Sequence, residues 1–361
     1  MGIEGRGLSG ILNQHFDWNK ARMACFVGML LALLKVRTVN LQVLACAFVG
    51  TATIESRYRR LKRFFSSFTI DLTRVAGWVI QVSGLEQEAV YLSLDRTNWR
   101  WGKSDINILM LSVVYKGLAL PVLWSLLPKR GNSHTEERIA LLKRWLSQFG
   151  LARTAGLLAD REFVGEAWFA WLKRESVPFC IRIKKNTLTT NSRGVEINVE
   201  TLFRDVKPGE QRVLPQGRRM WKQSIYLAGL RLADGELLVV ATDCLSVDPI
   251  GHYGKRWQIE TLFGCLKSKG FNFEDTHMVK PERIEKLLAL LAIAFAWAHK
   301  VGEWRHEEKA IRVKKHGRKA QSWFRYGLDY LQDVLLNPLR RAAHSFEDLL
   351  ALLTVPINII H

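Results

Sequence analysis

The stretch YGKRWQIETLFGCLK, Tyr253–Lys267, governs how the rest of the chain is read. Tyr253, Arg256, Glu260 and Lys267 stand at offsets of three, seven and fourteen. At about 100° per residue these fall near 0°, 300°, 340° and 320°, which is one narrow face of a helix. Ile259, Leu262, Phe263 and Leu266 fall near 180° to 280° and supply the packing face beside it. The polar seam would run for about 21 Å at 1.5 Å per residue, a length that covers several phosphates of a nucleic-acid strand. A carboxylate set between phosphate-seeking groups suits metal-dependent chemistry on DNA. A surface helix with incidental charges gives the same pattern, so the flanking sequence has to decide.

Upstream of this stretch the chain reads as β structure and then as alternating β and α. AVYLSLD (Ala89–Asp95), INILMLSVVY (Ile106–Tyr115) and LALPVLWSLL (Leu118–Leu127) are β-branched and aromatic runs of strand length. HTEERIALLKRWLSQFG (His134–Gly150) reads as a helix with Ile139, Leu142 and Leu146 on one stripe and Gly150 as its stop. AGLLAD (Ala155–Asp160) is a short apolar strand ending in an acid. VGEAWFAWLKRES (Val164–Ser176) and VPFCIRI (Val177–Ile183) add another helix and strand. The expectation is an α/β fold whose mixed sheet is antiparallel first and parallel later.

Two acids then occupy useful places. Asp95 is expected to close the first core strand, ahead of a polar turn Arg96-Thr97-Asn98, and Asp160 to close the strand after the first core helix. Neighbouring strands lie only about 4.8 Å apart, so such carboxylates can converge. Glu260 would complete an oxygen-rich site suited to Mg2+. Two metal ions about 4 Å apart can serve both the attacking and the leaving oxygen of a phosphodiester displacement. A cap or turn role explains either Asp taken singly, and only the combination favours chemistry.

The remaining segments frame this core. From Asn19 to Ser83 the pattern is helical, centred on SRYRRLKRFFSSF, where Arg57, Arg59, Arg60, Lys62 and Arg63 interleave with Tyr58, Leu61, Phe64 and Phe65. A DNA-binding helix and an ordinary solvated helix face both fit that stretch. From Lys184 to Asp243 short alternating runs separated by Gly, Pro and Asn indicate a β-rich insertion. The expected division is a helical DNA-binding domain over 1–85, a catalytic core over 86–183 and 246–305, an insertion over 184–245, and a C-terminal helical region over 306–361.

Composition agrees with a nucleic-acid partner without proving one. Lys and Arg number 53 against 34 Asp and Glu, a net charge of +19, which leaves DNA, RNA and anionic membranes open on charge alone. The apolar runs MACFVGMLLALL and LLALLAIAFAWA are each about a dozen residues, below the roughly 20 needed to span a bilayer, and read as buried helices. Five scattered cysteines form no C-x-x-C pair, which disfavours a disulfide framework or a structural zinc. His134, His252 and His277 lack metal-ligand spacing. No nucleotide-binding loop stands out. A cytoplasmic protein with no membrane association is expected.

The spacing Tyr253, Arg256, Glu260, Lys267 resembles the signature of DDE transposases of the insertion-sequence-four family. SLDRTNW and LLADREF resemble that family's two Asp-bearing motifs, at separations of 65 and 100 residues along the triad. The resemblance covers roughly Leu92 through Leu328. It implies a ribonuclease-H-like catalytic core with a β-strand insertion, in which Asp95, Asp160 and Glu260 bind two Mg2+, with Mn2+ as a substitute. It assigns Tyr253, Arg256 and Lys267 to DNA phosphates near the cleaved end. The implied partners are double-stranded transposon ends and target DNA, held by a homodimer in the bacterial cytoplasm. The implied reaction is nicking, hairpin formation and opening, and strand transfer, with no covalent protein–DNA intermediate. A catalytically silent DNA-binding descendant and a nuclease without strand transfer are the alternatives.

Four further positions bear on that pattern. Some relatives carry a second lysine midway between the Glu and the Lys, and Gly264 stands there. Trp221, beside Arg218, Arg219 and Lys222, is a candidate for stacking on a flipped base, with a packed sheet tryptophan as the preferred reading. Trp257 and Arg161 are expected to serve in packing and in a surface ion pair respectively.

Overall fold

Five helices open the chain: α1 (Ile3–Asn13), α2 (Lys20–Val36), α3 (Leu41–Ala47), α4 (Ile54–Ser67) and α5 (Leu72–Val82). The computed structural model describes residues 3–191, 193–315, 317–337 and 345–354. Of the C-terminal helical region expected over 306–361, residues 316, 338–344 and 355–361 lie outside the described residues. Side-chain caps start four of the five helices: Asn19, Asn40, Thr53 and Asp71 each accept from a first-turn backbone N–H. The apolar run of α2 is buried nearly throughout. In α4, Leu61, Phe64 and Phe65 face the core while the basic residues lie on the outer side. Among the described residues no single helix is long and apolar enough to cross a membrane, and α2 with α3 passes that test only as a pair bent by 98°.

The core sheet begins as an antiparallel meander of β1 (Val90–Trp101), β2 (Ser104–Tyr115) and β3 (Leu118–Leu126). Then come α6 (Thr135–Phe149), β4 (Thr154–Ala159), α7 (Glu166–Arg174) and β5 (Phe179–Ile183). β4 runs parallel to β1 and β5 parallel to β4, giving the order β3-β2-β1-β4-β5. This mixed α/β arrangement is the ribonuclease-H-like core expected from the sequence. α6 begins with a capping box between His134 and Glu137 and ends at Gly150, whose φ of 80° favours glycine. Its buried residues are Arg138, Leu141, Leu142 and Trp145, so the stripe is turned slightly from Ile139 and Leu146, which are half-buried.

One boundary differs from expectation. Arg96-Thr97-Asn98 is no turn: β1 continues to Trp101, paired with Ser104–Leu109 of β2, and Gly102 at φ 56° carries the reversal. Polar residues that favour turns in isolation are held extended here by ladder bonds and by side-chain partners of Arg96 described below.

The insertion contributes β6 (Leu188–Thr190), β7 (Glu196–Asn198), β8 (Gln211–Val213), β9 (Arg218–Met220), β10 (Gln223–Arg231) and β11 (Leu237–Thr242). β11 pairs antiparallel with β5, β10 with β11, and both β8 and β9 with β10, so these four strands extend the core sheet to nine members. After it come α8 (Pro249–Gly254), a single tight turn at Lys255–Trp257, α9 (Gln258–Leu266), the long α10 (Pro281–Glu308), α11 (Trp323–Leu336) and α12 (Phe346–Ala351). α10 buries its apolar run and packs against α5, β3 and α11. Gly302 and Gly327 lie where α10 and α11 meet, and a Cβ on either would collide with backbone of the other helix.

Candidate active site

Strand pairing sets the first two carboxylates side by side. The parallel register of β1 and β4 ends at Leu94↔Ala159, and the next residues on the two strands are Asp95 and Asp160. Both therefore leave the same end of the parallel ladder, about one strand spacing apart. Each carboxylate accepts from the backbone N–H of the following residue: Arg96 N to Asp95 Oδ1 at 2.7 Å, and Arg161 N to Asp160 Oδ1 at 2.6 Å. Asp95 is not at the end of β1 itself, only at the end of its pairing with β4.

Glu260 arrives on α9, which packs on β1, β2 and β3. The link between it and the strands is Arg256, in the tight turn before α9. Arg256 Nη1 lies 2.9 Å from Asp95 Oδ2 and Nη2 lies 2.7 Å from Glu260 Oε1. The residue is 4% exposed, so the guanidinium is a buried cation clasped by two carboxylates. Burial works against its charge, but Tyr253, the hydrogen bond to Glu260 and the charges of Asp95 and Asp160 outweigh that and hold it protonated.

Around this bridge lies a further ring of charge. Arg96 donates to both carboxylate oxygens of Glu162, Nε to Oε1 at 2.9 Å and Nη2 to Oε2 at 3.1 Å, and Nη1 donates to Asn107 Oδ1 at 2.9 Å. The buried Arg138 donates to the carbonyls of Ser133 and Glu162, which fixes the loop after Asp160. Burial pushes the Asp95 carboxyl up to about 6; the Arg96 N–H and Arg256 oppose that, and the charges of Glu162 and Asp160 reinforce it. Arg96, Glu162 and Arg138 were missed as site residues in sequence. Arg96 and Glu162 had a signal, since each follows a motif Asp by one or two positions in SLDRTNW and LLADREF.

The helical seam does not run its full length. Tyr253 lies in the last turn of α8, is 7% exposed, and joins a small apolar cluster with Leu158, Cys180 and Val240. Its ring lies 5.7 Å from the Arg256 guanidinium. Lys267 falls just beyond α9, with non-helical φ/ψ, and its ammonium pairs with Glu274 at 2.7 Å. The seam drawn from Tyr253 to Lys267 thus tightens at Lys255–Trp257, where the backbone stays right-handed helical and Arg256 still meets Glu260, and it ends before Lys267. Trp257, expected to pack, is 64% exposed beside Arg256. No lysine replaces Gly264 in sequence, but the Lys269 ammonium lies 3.8 Å from where a Cβ on Gly264 would stand.

The other candidates separate. Trp221 stacks on Phe169 at 4.5 Å and 9°, and Lys222 pairs with Glu166, which is a packing role. On α4, Arg57 donates to the Gly50 carbonyl, Arg59 pairs with Glu55 at 2.8 Å, and Arg60 donates to the Ala21 carbonyl at 3.2 Å. Lys62 lies over the Tyr58 ring, and Arg63 is exposed.

Among the described residues no three His, Cys, Asp or Glu side chains are disposed as a ready metal nest. The donor chemistry nevertheless fits a hard divalent cation: oxygen ligands only, one of them poorly hydrated, with the chain's own cation already drawn between two of them.

Residues 86–297 match the family model described as the transposase DDE domain. The chain belongs to that family. As a DDE transposase it is a DNA-processing enzyme of a class that uses divalent metal ions. Among solved structures, this DDE transposase is similar to the piggyBac transposase synaptic complex with hairpin DNA, determined by cryo-EM. Identity is 11%, the TM-score is 0.43, and the match covers 95% of this chain and 78% of that one. No curated protein matches it.

Proposed function

We propose that this DDE transposase is a cut-and-paste enzyme of the insertion-sequence-four type, with Asp95, Asp160 and Glu260 as its metal-binding carboxylates. The observation that carries the reading is the joining of three separate motifs. Asp95 and Asp160 leave adjacent strands at one level, and Arg256 ties Glu260 to Asp95. Bound Mg2+, or Mn2+ in its place, would polarise the scissile phosphate and activate a water or 3′-hydroxyl.

The chain's own residues supply placement. β1 and β4 hold two oxygen donors rigidly, and Arg138 and the Arg96–Glu162 pair keep the loop after Asp160 in place. Each chemical step exchanges one P–O bond for another: the incoming oxygen bonds to phosphorus as the leaving oxygen departs. Nicking, hairpin formation and opening, and strand transfer all have this form. None needs a covalent enzyme intermediate.

Arg256 reaches a phosphate only by leaving the carboxylates, and Lys267 only by leaving Glu274. Tyr253 supports Arg256 from a buried position. The partners in this reading are double-stranded transposon ends and target DNA, held by a homodimer. The helical region over 1–85 presents Arg57, Arg59, Arg60, Lys62 and Arg63 of α4 to DNA, beside the core over 86–183 and 246–305. The insertion over 184–245 and the C-terminal region over 306–361 flank them.

The test is incubation of end-bearing DNA with Mg2+. The wild-type chain should cleave at the end. Asp95→Asn, Asp160→Asn and Glu260→Gln should each lose cleavage while keeping fold and end binding. Full cleavage by one variant removes that residue from the site, and an inert wild-type chain that still binds ends points to the silent descendant.

A further inference from the structure

A cavity of about 310 Å³ lies between the N-terminal helices and the catalytic half of the chain. Its walls include Tyr58 and Lys62 of α4, the loop residues Thr276 and His277, Lys280, and Arg283 in the first turn of α10. No lining residue is acidic. Lys62 and Lys280 are exposed, Arg283 is half-buried, and none of the three forms an ion pair among the described residues. Three cations from two elements, α4 and the start of α10, thus share one hollow with no acidic residue in its lining. The nearest acids on the same segments are Glu282, exposed outside the lining, and Asp275, which is engaged by Thr38 and His277.

A second observation points inward from the wall. Thr276 is 2% exposed, and its hydroxyl has no hydrogen-bond partner among the described residues. Buried hydroxyls are normally satisfied, so an orphan lining a basic cavity is an acceptor or donor waiting for a guest. The start of α10 adds to this. Lys280 at its N-cap makes no side-chain cap bond, but Pro281 carries no N–H and the Arg283 N–H is taken by the Lys280 carbonyl at 3.0 Å, so α10 contributes the positive end of its dipole rather than a row of free donors.

The rim favours a nucleic acid over a small anion. His277 stacks on Trp101 at 4.2 Å and 16°, and Trp101 is 39% exposed at the tip of the β1–β2 hairpin. Flat π faces beside phosphate-seeking cations suit a nucleotide strand. Trp101 lies six residues beyond Asp95 on the same strand, roughly 20 Å at 3.3 Å per residue.

We infer that this cavity seats a backbone phosphate of the bound DNA about six nucleotides from the scissile phosphate, and so ties α4 to the catalytic core through one strand. The spacing takes the Asp95–Trp101 span of β1 as its measure, with His277 joining Trp101 to the cavity wall, at about 3.4 Å of duplex axis per nucleotide. The inference rests on the transposase reading and names a contact which that reading does not require.

The test uses the full chain and end DNA carrying single methylphosphonate substitutions, which remove one phosphate charge at a time. Wild-type protein should show a loss of affinity, about tenfold, when the neutral linkage sits about six nucleotides from the cut. In Lys62→Gln/Arg283→Gln that position should become insensitive, and the slope of log K against log salt should fall by about one unit, since about 0.9 is lost per phosphate contact. Arg174→Gln/Lys207→Gln, the same charge change elsewhere, should leave both unchanged. Thr276→Val should weaken DNA binding several-fold without lowering Tm, because it removes an unsatisfied buried hydroxyl.

An unchanged methylphosphonate profile and salt slope in the cavity variant, with normal DNA binding by wild type, overturns the inference and leaves the transposase reading standing. Stabilisation of wild type by inorganic phosphate, lost in the cavity variant but with DNA binding unaffected, overturns it in favour of a small-anion site. A wild-type chain that binds no DNA overturns both.

Discussion

Arg256 stands 2.9 Å from Asp95 and 2.7 Å from Glu260, so a single buried guanidinium bridges two carboxylates from distant parts of the chain. A divalent ion entering between them has to displace or share that cation. Arg256→Ala should therefore destabilise the metal-free protein by about 3 kcal/mol, the scale for removing one partner of a buried ion pair. Added Mg2+ should recover part of the loss and stabilise the variant more than it stabilises wild type. Urea unfolding with and without Mg2+ measures both. Equal stabilisation of the two proteins would show that Arg256 and the ion do not compete.

The same relationship marks what sequence could and could not show. Strand-length apolar runs and caps were enough to place β1 to β5, α6 and α7 in order, because those signals are local. The adjacency of Asp95 and Asp160 was legible too, since acids at the ends of neighbouring runs converge if the strands pair. The burial of Arg256 was not legible, because its partner Asp95 lies 161 residues earlier. The tightening of the helix at Lys255–Trp257 and its end before Lys267 were hidden because offsets on an ideal wheel assume a uniform axis of fixed length. Continuation of β1 through Arg96-Thr97-Asn98 depended on cross-strand partners that no window of one strand contains.

Of two tryptophans expected to pack, Trp221 does and Trp257 does not, and this is testable by pairing stability with DNA binding. Trp221 stacks on Phe169, whereas Trp257 is 64% exposed. Trp221→Ala should cost about 2 kcal/mol of stability, somewhat below the range for a fully buried aromatic, with end-DNA affinity unchanged. Trp257→Ala should leave unfolding nearly unaltered and weaken end-DNA binding. Fluorescence anisotropy with end DNA, set beside urea unfolding, separates the two outcomes; lost affinity in Trp221→Ala at normal stability would restore its candidacy for base stacking.

α10 and α11 approach closely enough that glycine is required at their crossing. A Cβ on Gly302 would meet the backbone of Trp323 and Gly327, and one on Gly327 the backbone of Ala298 and Gly302. Backbone cannot rotate away as a side-chain tip can, so the helices must separate. Gly302→Ala and Gly327→Ala should each cost about 3 kcal/mol, the upper part of the overpacking range, even though alanine favours helix formation. Because both relieve the same contact by parting the same helices, the double variant should lose less than the sum. Urea unfolding of the three variants is the check; full additivity would mean the helices do not move apart together.

His299 gives the acid limb of stability its sign. It is 1% exposed on α10, between the rings of Tyr115 and Trp323, and burial pushes its pKa down to about 3, with Lys116 and Lys319 adding to the effect. On its own helix it faces Glu303 at 3.6 Å, with Lys300 adjacent, and Glu303 also takes Lys116 and the Tyr115 hydroxyl. In the unfolded chain the imidazole protonates near 6.5, so between that pH and about 3 the unfolded state binds one proton more than the folded state. The folded state's advantage is therefore complete above 6.5 and declines as pH falls, by about 1.4 kcal/mol per pH unit for one proton. Glu303, whose carboxyl is raised by burial, takes up its proton in the folded state earlier than in the unfolded state and so opposes part of that decline. His299→Leu removes the larger of the two effects. Its stability at neutral pH should not fall, since neither ring nitrogen of His299 has a hydrogen-bond partner among the described residues. Its stability between pH 6.5 and 4.5 should fall less steeply than that of wild type. Urea midpoints across that window decide it, and parallel acid limbs for the two proteins would show that His299 titrates in the folded state as freely as in the unfolded chain.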